Sequence, residues 1–117
     1  MKNRKIGPPY HRTIRAFLNS TGSDLDSGDP VVVAGGVGIC SVDIANGATG
    51  AVEIGGVFEV DAVSAQAWAQ GVTIYYDASA GNFTTVSTDN TKAGFAYEAK
   101  ANPAAKGLLY LAEPPGA

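Results

Sequence analysis

Between residues 27 and 111 the chain alternates short apolar runs with Gly, Asn and Asp turns, and it carries almost no chemically reactive side chains on the way. That rhythm constrains the fold more than any other feature. Runs of four to six Val-, Ile-, Thr- and Tyr-rich residues are too short for helices and suit strands. The interruptions at Gly35–Gly36, Asn46–Gly47, Gly55–Gly56 and "DASAGN" are hairpin and turn signals. The strands predicted are "TIRAFL" (with Ile14, Ala16 and Leu18 on one face), "VVVA", "VGICSV", "AVEI", "GVFEV", "VTIYY", "FTTVS", "KAGFAYEA" and "GLLYL". In "GVFEVDA", Val57, Glu59 and Asp61 alternate with Phe58, Val60 and Ala62, the period of a half-buried strand. Tyr75 and Tyr76 are adjacent and therefore face opposite sides, so at least one belongs to the core. One short helical turn is expected at "AQAWAQ", with Ser64 as its cap and Gly71 at its end. Trp68 on that turn would plug a barrel end with its indole N–H near the rim. The fold class is all-β: a small β-barrel or jelly-roll-like sandwich of eight or nine short strands.

With 117 residues, one domain is expected, and folding hides roughly 65% of the surface of the unfolded chain, enough for one modest core. The divisions expected are a basic arm over residues 1–12, a β domain over 13–112 and an extended tail over 113–117. The single Cys40 excludes an internal disulfide framework and any multi-cysteine zinc site, and in "GVGICSV" it reads as a small buried apolar residue. No run approaches the ~20 apolar residues of a membrane span, so no membrane partner is expected. No signal peptide opens the chain, and the simplest expectation is assembly in the cytoplasm.

The net charge of −3 conceals an asymmetry. Residues 1–15 hold Lys2, Arg4, Lys5, Arg12 and Arg15 and no acid, whereas residues 16–117 hold three lysines and eleven acids, a net −8. Such a leader is either a solubilising terminus or an arm that docks on an acidic neighbour or a phosphate backbone.

The candidates for chemistry are weak. His11, the only histidine, lies in the basic arm, where nothing orients it as a base. Asp24, Asp26 and Asp29 fall within six residues but lack calcium-loop spacing and the terminal Glu, so they read as a solvated turn whose carboxylates cap backbone N–H groups. "GGVG" at residues 35–38 lacks the Lys-Ser/Thr ending of a phosphate loop. No enzyme, cofactor or metal site is expected.

Five segments in order, "SGDPVVV", "GGVGI", "DIANGATGAVEIGGVFEV", "AWAQGVTIYYDASAGNFTT" and "AGFAYEA", resemble the phage capsid cement (decoration) protein family, once labelled a predicted phage recombinase. The resemblance covers about residues 13–111. The leader is longer and more charged than the family pattern, and Val72 stands where the family often has Asp. The resemblance implies a structural virion protein of a phage or prophage. It would bind the outside of the capsid and stabilise the head by bridging major capsid subunits, with self-association as a homodimer or homotrimer. On that reading the contacting arm is Lys2, Arg4, Lys5, Tyr10, Arg12 and Arg15. The alternatives are a nucleic-acid-binding phage accessory protein, disfavoured by the acidic body, and another head or tail component.

Overall fold

Turn chemistry divides the chain into strands, and the strands divide into two sheets. The computed structural model describes residues 4–5, 13–33 and 35–111. In chain order the strands are β1 (Arg4–Lys5), β2 (Thr13–Leu18), β3 (Pro30–Val33), β4 (Gly36–Cys40), β5 (Thr49–Glu53), β6 (Gly56–Asp61), β7 (Thr73–Asp77), β8 (Asn82–Thr84), β9 (Thr91–Ala96) and β10 (Lys106–Leu111). All nine strands expected from the sequence form, with ends shifted by a few residues, and the two-residue β1 is additional. The protein is all-β.

The first sheet has the order β1-β6-β10-β9-β7-β8 and the second β2-β5-β4-β3. The first curls until β8 meets the far end of β6: Ala62 bridges Phe83 in parallel, and the Val63 N–H donates to the Phe83 carbonyl at 3.0 Å. Strands β6, β10, β9, β7 and β8 therefore enclose a small barrel, with β1 appended along β6. The alternation read in "GVFEVDA" holds from Phe58 onward, with Phe58, Val60 and Ala62 buried and Glu59 and Asp61 half-exposed, whereas Val57, expected with the outward set, is also buried. Tyr76 turns inward against Phe83, ring centroids 5.2 Å apart, while Tyr75 stays half-exposed.

Two apolar clusters result. The larger joins Phe58, Val60, Trp68, Ile74, Phe83, Leu109 and Leu111 of the barrel to Val37 and Ile39 of β4, which bring the second sheet onto it. The smaller gathers Val31, Cys40, Ile44 and Val52 on the other face of the second sheet, with Phe17 and Leu25 packed against it. Strand β4 is buried on both faces because it separates the two clusters.

Three local expectations change. No helix forms among the described residues: residues 64–71 run as turns, and Trp68 exchanges backbone hydrogen bonds with Lys100 at 2.8 and 3.0 Å. A segment this short cannot offset helix nucleation, and pairing with the chain before β10 satisfies its backbone instead. Trp68 does plug the barrel, 2% exposed, but its indole N–H is buried with no hydrogen-bond partner among the described residues rather than sitting at the rim. In β2 the register shifts between Ile14 and Phe17. This bulge turns Phe17 toward the small cluster and leaves Ala16 and Leu18 exposed, which breaks the predicted Ile14–Ala16–Leu18 face.

Candidate docking surface

The residues best placed to meet a partner lie on the outer face of the barrel sheet. Because side chains alternate along a strand, burying Leu109 and Leu111 of β10 turns Leu108 and Tyr110 outward, and burying Ala96 turns Phe95 and Tyr97 outward. Antiparallel register sets these into rows: Thr73 opposes Phe95, Phe95 opposes Tyr110, and Tyr110 opposes Val57. The Phe95 and Tyr110 rings stack at 5.0 Å with planes 9° apart. Phe95 and Tyr97 remain 41% and 44% exposed, too much for core residues, so they are free to contact another molecule. Rigid aromatics of this kind carry a large share of binding energy at protein interfaces.

Charged residues border the face. Lys106 pairs with Asp61 across β10 and β6, and Leu108 opposes Glu59. On the other side of β6, β1 lies antiparallel with Arg4 opposite Glu59 and Lys5 opposite Phe58. Residues 4–5 thus lie along the β6 edge of the sheet that carries the aromatic face. Arg15 falls within β2 on the other sheet, whereas Lys2, Tyr10 and Arg12 lie outside the described residues. The structure therefore brings Arg4 and Lys5 to one edge and separates Arg15 from them along the backbone.

Beside this face, Glu59, Glu98, Lys100, Lys106 and Leu108 line a groove of about 230 Å³. Its one buried charge is committed to structure. The Lys100 ammonium donates to the carbonyls of Val63 (3.1 Å), Ala104 (2.8 Å) and Gln66, and lies 5.7 Å from the Trp68 ring centroid. Burial pushes its pKa below the ordinary lysine value. Lys100 ties the chain before β10 to the segment that carries Trp68, a role that a lone lysine between two alanines does not announce in the sequence.

The remaining candidates for chemistry are structural. Cys40 is fully buried, and burial, followed by the charge of Asp29, raises its thiol pKa from 9.0 to about 11. This protonated thiol is a small core residue, as expected from its neighbours. The acidic turn also behaves as read. Asp29 accepts from the Asp26 N–H at 2.9 Å, Asp24 accepts from the Asn46 N–H at 2.9 Å, and nearby Asp43 accepts from the Ser27 N–H at 2.8 Å. Among the described residues no group of three His, Cys, Asp or Glu side chains is placed to hold a metal ion. His11 lies outside them.

Sequence reasoning missed the aromatic face. Phe95, Tyr97 and Tyr110 do show the spacing of outward positions in their strands, but only the pairing of β9 with β10 makes them one surface. A family model described as phage cement protein matches residues 11–111. No curated protein and no solved structure matches the chain.

Proposed function

The chain belongs to the phage cement protein family, and from that membership we propose that it binds the outer surface of a phage capsid and bridges neighbouring major capsid subunits. Membership makes it a capsid-associated virion protein. The exterior position, the bridging and the major capsid protein as partner are the proposal. The family match over 101 of the 117 residues carries this reading.

The geometry fits such a role. The interior of the barrel is filled by large side chains, which makes the body a stiff wedge, and its outer sheet offers an apolar, partly aromatic face. The cations Arg4 and Lys5 on the β6 edge of that sheet, within a leader rich in positive charge, add attraction to an acidic capsid surface. Repetition over a symmetric shell multiplies weak single contacts. The work is mechanical: it requires no bond-making chemistry, and we read the protein as no enzyme.

The test is a binding assay on purified, expanded, undecorated heads, counting bound copies per pelleted head and following head survival on heating. Saturation at a copy number matching capsid symmetry sites, with raised heat resistance, is the expected result. Phe95→Ala with Tyr97→Ala should weaken binding about ten-fold or more without unfolding the body, since aromatic anchors are worth on the order of 1–2 kcal/mol each. Absence of binding overturns the reading, and a salt-dependent gel shift with DNA would move the weight to the nucleic-acid alternative.

A further inference from the structure

Strand β6 is six residues long and lies at the margin of its sheet, where its neighbour on the outer side is the two-residue β1. An apolar strand at a sheet margin is a template for another extended chain. The pairing in the structure identifies the segment that fits it: residues 4–5, antiparallel, with the cation Arg4 opposite the acid Glu59. We propose that this β6 edge is a strand-exchange site, and that where copies of the protein crowd together each places its β1 on the β6 edge of a neighbouring copy.

Three observations carry the inference. First, a two-residue strand contributes little on its own, so releasing it from its own body costs little, and the same pairing re-forms unchanged on a neighbour, as in any exchange of an identical element between protomers. Second, residues 6–12 separate β1 from β2, which belongs to the other sheet. Fully extended, that length of chain reaches about 25–30 Å. This matches the width of the protein itself, whose extents are 38 × 30 × 27 Å, so an adjacent copy lies within range. Third, the leader is +5 through residue 15 and the rest of the chain is −8, so a leader is attracted to any copy's body while bodies alone repel. The contact runs from leader to edge and is heterologous, which closes rings or links copies side by side according to the rotation between them.

The inference deepens the capsid reading, on which it rests for the crowding of copies on a shell. It is tested by mixing two single variants of the full chain, Arg4→Cys and Glu59→Cys, and oxidising them both in concentrated solution and on heads. Neither variant can form this disulfide within one chain, and buried Cys40 with its raised pKa does not compete. A covalent dimer joining the two variants is the expected result. A chain carrying both substitutions serves as control; if it closes only within single chains and the mixture gives no joint disulfide in either setting, the proposal is overturned. Copies pelleting with heads are counted separately, so a joint disulfide without head binding sinks the capsid reading alone. Should Glu59→Cys fail to fold, Arg4→Glu with Lys5→Glu serves instead. Loss of self-association at low salt in sedimentation is expected, and unchanged self-association overturns the exchange.

Discussion

The two apolar clusters of this protein are built on different principles. Inside the barrel, Trp68, Phe58, Phe83, Ile74, Leu109 and Leu111 fill an enclosed volume with large side chains, and shape does most of the work. On the far face of the second sheet, Val31, Cys40, Ile44 and Val52 form a cluster of four buried side chains with no aromatic ring among them, and two loops roof them. Those loops are held by hydrogen bonds: Leu25 and Ile44 exchange backbone bonds at 2.8 and 2.9 Å, and the fully buried Asn19 joins both. Its Nδ2 donates to the Ile44 carbonyl at 2.9 Å and the Ser23 carbonyl at 2.8 Å, and its Oδ1 accepts from the Thr21 N–H and hydroxyl. The barrel should therefore respond to changes in volume and the roofed cluster to loss of polar partners.

The severest challenge to this contrast is Phe58→Ala. Emptying the barrel should cost about 3–5 kcal/mol, read as a lowered denaturation midpoint. A loss below about 1 kcal/mol would show that the barrel interior is not the main support of the fold. Overpacking tests the same region from the other side. A Cβ on Gly107 would lie 2.5 Å from Cζ3 of the Trp68 ring, and Gly107→Ala should destabilise by about 1–3 kcal/mol because the enclosed indole has little room to move.

Asn19→Ala should cost about 1–3 kcal/mol, since it removes the buried amide's bonds to the Ser23 and Ile44 carbonyls and leaves a gap between the two loops. Hydrogen exchange sharpens the comparison. Amides of residues 19–29 and 41–48 should lose protection first in this variant, while β10 keeps its own; uniform loss would make the two clusters one cooperative unit. The mildest effect is a pH effect. The folded Cys40 thiol titrates above its ordinary 9.0, near 11, so its contribution is complete below pH 9 and is lost as pH rises from there through 11. Relative to Cys40→Ala, the wild type should lose melting temperature over that window. Parallel melting curves would place the thiol outside the linkage.

Much of the barrel was legible. "GVFEVDA" announces Phe58, Val60 and Ala62 as its inward set by alternation, though Val57 is buried as well, and "DASAGN" joins β7 to β8 as an antiparallel hairpin. The roofed cluster was less so, because Asn19 and Ile44 sit in turn-rich stretches where polarity masks burial. The candidate surface was read only in part. The leader charges stand out in the sequence, whereas Phe95, Tyr97 and Tyr110 look like ordinary strand residues until β9 and β10 pair.

The sequence by itself determined the elements: strands from two-residue periodicity, turns from residues such as Asn46 and Gly47 (φ 85°), an inert Cys40 from apolar neighbours, and a charge-divided chain. These are local properties, set by sterics and composition within a few residues. Tertiary structure decided which strands share a sheet, the closure of the barrel through Ala62 and Phe83, the bulge in β2, the unwound path around Trp68, the burial of Lys100, and the placement of Arg4 against Glu59. Each of these is a contact between residues far apart in the chain. Its free energy depends on the partner's position in space, which no local pattern contains.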